Sequence, residues 1–128
     1  MTALAAQTAT ELDDVLDDLT GLDWIPGINT ILTGIREAQT AILAGRLDPD
    51  ATQTLIAATA GSAGADLVTA LAQLVATATN SDTNPALRQL TDRQQKDTQY
   101  HGEIALHALT DTDVHQPASE ASAAISSY

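Results

Sequence analysis

The stretch PGINTILTGIREAQTAILA, residues 26–44, decides the fold. Ile28, Ile31, Ile35, Ala38 and Ile42 return every three or four residues, and Leu32 and Leu43 widen the line they draw. That spacing puts them on one face of an α-helix and on no single face of a strand. The ends agree: Asp23 is a candidate N-cap, Pro26 is tolerated in a first helical turn, and Gly45 stands where a left-handed C-terminal cap falls.

On its N-terminal side, Thr8 followed by Glu11 fits a capping box, and Leu12, Val15, Leu16 and Leu19 continue at helical spacing. Asp13, Asp14, Asp17 and Asp18 fill the opposite face up to the breaker-rich turn 21–27. A first helix is therefore expected to start at the capping box and end at Gly21.

On its C-terminal side, Asp48-Pro49 gives an N-cap followed by a first-turn proline, and a third helix is expected over about 49–79. Gly61-Ser62-Ala63-Gly64 interrupts its middle, and the sequence leaves open whether the helix breaks into two there. Leu67, Val68, Leu71, Leu74 and Val75 make a second apolar stripe, the Ala- and Gly-rich run before them suits close helix packing, and with apolar residues nearly all round this helix is expected to be the most buried and central. Asn84-Pro85 repeats the cap-proline signal and predicts a helix to about Leu109, with a polar middle through Gln94, Asp97 and His101.

The expected architecture is all-α: a small bundle of four to five helices over residues 1–109, followed by a flexible Ser/Ala-rich tail over 110–128. The core is thin. The chain has 16 Leu, 8 Ile and 4 Val in 128 residues, no Phe, and Trp24, Tyr100 and Tyr128 as its aromatics. Domains with so little to bury gain the missing burial from another polypeptide. The expected interface residues are Ile28, Ile31, Ile35 and Ile42 on one helix and Leu67, Leu71 and Leu74 on another. Ile125 and Tyr128 are expected to anchor the tail on a neighbour.

A formal charge of −12, from 17 acidic residues against five Lys and Arg, repels phosphate. Direct nucleic-acid binding and docking on an anionic membrane are not expected on that ground, whereas a basic partner fits it. This balance resembles the composition of proteins from salt-loving archaea, and it implies no family. A membrane span over 54–78 is not expected, because Asp66 and Gln73 interrupt it and Ala, Thr and Gly dilute it. Residues 1–6 lack a basic region and an apolar run, so no secretory signal is read there. The expected location is cytoplasmic or particle-associated.

No motif names a reaction. Asp97 with His101, and Glu103 with His107, stand four apart and share a helix face, yet neither pair has a third ligand to complete a metal site. Gly61–Gly64 lacks the preceding strand and the following Lys of a phosphate loop, and no serine sits in a nucleophile elbow. The aspartates of the first helix lack the alternating ligands and central glycine of a calcium loop. With no cofactor, metal or catalytic residue indicated, the expectation is a non-enzymatic structural or assembly protein. It would act through helix packing as a homo-oligomer or in a larger particle, such as a virion or connector. Two alternatives stand beside it: an acidic regulator that occupies a basic protein surface, and a weak metal-binding or enzymatic role centred on His101 and His107.

Overall fold

The computed structural model describes residues 2–126, with side chains placed from residue 11 to residue 125. Every regular element among them is helical: α1 Thr2–Thr20, α2 Ile28–Leu43, α3 Pro49–Ala60, α4 Leu67–Thr79, a 3-10 turn Pro85–Gln89, α5 Asp92–Leu109 and α6 Thr112–Ser126. The all-α expectation holds. No described helix is long and apolar enough to cross a membrane. Contacts divide the chain into two compact units, Met1–Leu47 and Asp48–Tyr128, whereas composition placed a boundary at 109/110.

In the first unit, α1 begins well before the capping box at Thr8 and Glu11, which therefore lies inside the helix. Thr20 closes α1 by donating its hydroxyl to the Leu16 carbonyl at 2.9 Å, and overlapping turns through Leu22 and Ile25 lead to Gly27. Gly27, at φ 91°, is the N-cap of α2 and supplies no side-chain hydrogen bond, so Asp23 caps nothing. The other end matches the sequence: Gly45 takes φ 69°, its N–H donates to the Ile42 carbonyl and that of Arg46 to the Ala41 carbonyl. Those two bonds are a Schellman motif, which a left-handed glycine makes without steric cost.

Leu16 and Leu32 are the fully buried apolar side chains of this unit. Leu32, which only widened the stripe in the sequence, is thus its buried centre, and Ile31, Ile35 and Ile42 are exposed. The stripe of α2 is broader than one neighbouring helix can cover.

In the second unit α3 packs against α6 and α4 against α5, with a lighter contact between α3 and α4. The long helix expected over 49–79 is two helices, α3 and α4, separated at 61–66. Asp48 caps α3 by accepting the Ala51 N–H at 2.8 Å, with Pro49 in the first turn. Asn84-Pro85 does start a helical element, but it is the short 3-10 turn. The α-helix begins again at Asp92 behind a true capping box: the Thr91 hydroxyl accepts the Gln94 N–H, and the Gln94 side chain accepts the Thr91 N–H. A second cap seven residues after the first outcompetes continuation from Pro85.

Residues 112–126 form α6 on α3, where composition suggested a polar tail. Residues 127 and 128 lie outside the described residues. The two helix pairs meet through small residues. A Cβ on Gly61 would stand 3.1 Å from the Ser119 backbone nitrogen on α6, and a Cβ on Gly102 would stand 1.9 Å from the Thr79 hydroxyl oxygen on α4.

Candidate functional site

The loop between α3 and α4 builds the most organised polar site of the described residues. Asp66 is the N-cap of α4, so one carboxylate oxygen accepts the Thr69 N–H at 2.9 Å and the Thr69 hydroxyl at 2.8 Å. Its other oxygen accepts the Ser62 N–H at 3.0 Å and meets His115 Nδ1 at 2.5 Å. Gly64, at φ 90°, turns its own N–H onto the Thr69 hydroxyl oxygen at 3.0 Å. Gly61–Gly64, which resembled a phosphate loop only in composition, is thus the wrapping of an internal carboxylate.

His115 reaches this carboxylate from the first turn of α6 and is 2% exposed. Its second ring nitrogen, Nε2, lies 2.6 Å from the Leu109 carbonyl oxygen at the end of α5. Both partners are acceptors, so both ring nitrogens must donate and the ring is the imidazolium cation. Burial pushes the Asp66 carboxyl up, but the bonds from Thr69, Ser62 and His115 outweigh it and hold the group at about 2, below its ordinary 3.8. The Leu109 carbonyl raises the His115 pKa above 6.5; burial opposes that, and Asp66 and the Ala60 carbonyl add to it.

The ion pair joins four elements: α6 carries the cation, Asp66 at the start of α4 the anion, and the ends of α3 and α5 supply carbonyls. Pro117 follows two residues after His115 and has no N–H to continue the ladder of α6. Asp111 accepts the Asp113 and Val114 N–H groups and starts the first turn of α6 locally, and His115 ties that turn to α4 and α5. Further along, the Ser122 hydroxyl donates to the Gln53 carbonyl on α3 at 3.1 Å.

A pH profile follows from these directions. His115, raised in the fold, contributes stability in full below 6.5 and loses it as pH climbs through the raised value. Asp66, lowered in the fold, contributes in full above 3.8 and loses it as pH falls toward about 2. Melting temperature against pH should therefore be highest between about 4 and 6.5 and fall on the alkaline side. His101→Gln and His107→Gln, both at exposed positions, should leave that alkaline fall in place; a profile flat up to pH 9 would contradict the charged pair.

The site offers no nitrogen to take a proton from a substrate, because both His115 nitrogens are engaged inside the fold. The histidines singled out in the sequence stand elsewhere. Asp97 and His101 line an open, shallow groove beside Val75 and Thr79, and Glu103 and His107 line another beside Tyr100 and Ile104. Among the described residues no group of three or more His, Cys, Asp or Glu is placed to hold a metal ion. Asp13, Asp14, Asp17 and Asp18 are exposed on α1, and Asp17 meets Arg36 at 3.5 Å.

The expected interface residues separate by helix. On α2, Ile31, Ile35 and Ile42 are exposed and Ile28 is half-buried. Ile125 is half-buried on α6, and Tyr128 lies outside the described residues. On α4 the expected residues are exposed too: Thr69 and Ala72 are buried, while Leu67 is 56%, Leu71 46%, Leu74 54% and Val75 38% exposed. Small inward residues let α4 approach α5 closely, and the large ones are left outside.

Compared with known proteins, the chain matches no protein-family model, no curated protein and no solved structure.

Proposed function

We propose that this chain is a non-enzymatic assembly protein that works by laying apolar helix faces against another polypeptide, through self-association or docking into a larger particle. The observation that carries the reading is α4, whose leucines point away from its own neighbours. Water around such a stripe is costly, at roughly 25 cal/mol for each Å² of apolar surface, and burying it against a second chain recovers that cost. The same economy runs through the rest of the chain. Leu16, Leu32 and Ala72 are its fully buried apolar residues among those described, and Trp24, Leu43 and Val15 are exposed. A virion or connector-type component, cytoplasmic or particle-borne, is the setting we propose for a small helical chain of this kind.

Light scattering of the full chain in KCl at about 1 M, where the Debye length is about 3 Å, tests the reading with carboxylate repulsion screened. The expected result is a mass above that of one chain, growing with concentration. A monodisperse monomer up to millimolar protein would count decisively against self-association.

A further inference from the structure

We infer that the partner of α4 is α4 of a second copy, and that the two helices pair antiparallel about a two-fold axis between Leu71 and Leu74. The inference rests on the assembly reading above and names its partner. Charge selects the second copy. The chain carries −12 overall, yet from Leu67 to Thr79 there is no charged residue, so two such molecules can meet along this exposed stripe without carboxylates of the helix itself opposing each other. The flanking Asp66 does not spoil it, because its charge is turned inward onto His115.

Spacing selects the geometry. Leu67, Leu71, Leu74 and Ala78 stand four, three and four residues apart, a pattern that is its own reverse. A two-fold axis across the helix therefore sets Leu71 against Leu74 of the other copy and Leu67 against Ala78, which is the self-complementarity an isologous interface requires. A three-four spacing is also the seam along which helices interlock at a small crossing angle. Antiparallel pairing opposes the two helix dipoles, where parallel pairing would align them.

Size sets the strength. Thirteen residues make a helix about 20 Å long. Two such helices bury less than the roughly 1,200–2,000 Å² of a standard stable interface, so the dimer is weak and reversible, micromolar or weaker. Salt strengthens it, because KCl screens the carboxylates elsewhere on both surfaces.

Sedimentation of the full chain tests this at low and high KCl, with the Leu71→Asn/Leu74→Asn variant beside the wild type and far-UV circular dichroism to verify helix content. The expected result is a monomer–dimer equilibrium that tightens at least about tenfold between about 0.1 M and 1 M salt. The variant should weaken it at least about a hundredfold, since four leucines leave the interface. Ile35→Asn/Ile42→Asn should leave it unchanged. Because the chain has no Cys, engineered thiols report the axis directly. A Leu71→Cys chain mixed with a Leu74→Cys chain should oxidise to a covalent dimer, whereas Leu67→Cys alone should not, its two thiols lying about 16 Å apart along the axis. Efficient self-crosslinking of Leu67→Cys would overturn the antiparallel arrangement. A dimer that survives the double asparagine variant would overturn pairing through α4 and leave the assembly reading standing. A monomer at every concentration and salt would overturn the pairing and self-association together, and leave docking into a larger particle as the assembly reading.

Discussion

A His115→Ala chain should lose the docking of α6 on α3, and its second unit should melt at least about 10 °C below the wild type. The substitution leaves Asp66 with its other donors but without its counter-charge, and it leaves the Leu109 carbonyl without a donor. Removing one member of a buried pair is worse than never having had it, because the remaining charge stays desolvated. The damage should be directional. Amides of α6 should exchange fastest, since Pro117 removes one donor from that helix and, beyond the local turn at Asp111, its first turn is tied to the rest of the unit by His115. Asp66→Asn should do harm of a second kind, because an amide can accept the Thr69 N–H but not balance an imidazolium. Both variants should also lose the alkaline fall of the wild-type profile. Hydrogen exchange that found α6 as protected in His115→Ala as in the wild type would show that the pair does not hold the helix.

The other large effect is expected at Gly102. In most helix interiors glycine costs on the order of 1 kcal/mol relative to alanine, and its replacement stabilises. Here the added Cβ would fall 1.9 Å from the Thr79 hydroxyl oxygen and 2.5 Å from the Thr79 Cβ. The second of these atoms is fixed to the backbone of α4 and cannot swing aside, so the helices must part. Gly102→Val should therefore destabilise by about 1–3 kcal/mol in spite of its better backbone entropy, lowering the melting temperature by roughly 5–20 °C. Gly34 gives the contrast within the same protein. It lies inside α2 with nothing within 4 Å of its added Cβ, and Gly34→Ala should stabilise by about 0.5–1 kcal/mol. Thermal melts of the two variants should move in opposite directions; a shift in the same direction would refute the tight α4–α5 crossing.

The legible part of this fold was the part written locally. The Gly45 cap, the Asp48-Pro49 start and the interruption after Ala60 follow from residues a few positions apart, and each is where the sequence indicates it. The Thr91–Gln94 box carries the same kind of signal, and Asn84-Pro85, just ahead of it, masked it. The ion pair was not legible, because its members are 49 residues apart and one belongs to α6, whose Ser, Ala and Thr disguise it as a tail. A histidine four residues after Asp111 and two before Pro117 is the trace it leaves in the sequence. His101 and His107 drew notice because their carboxylate neighbours are near in sequence, whereas the histidine that is engaged finds its carboxylate across the fold. On α4 the periodicity was right about which residues align, but the expectation of a central, most buried helix fails at Leu67, Leu71 and Leu74, since a helix apolar nearly all round has no face marked for the inside.

The seam at Leu47 and Asp48 has a wider consequence. On one side the ladder of α2 is finished by the Gly45 turn, and on the other Asp48 and Pro49 begin a new ladder with its own first donors satisfied. No repeating hydrogen-bond run crosses that point, so its covalent bond joins two finished pieces. Lengthening, duplicating or grafting at that junction disturbs neither ladder, which makes it the place where such a chain can acquire or exchange a module without unravelling what it already has.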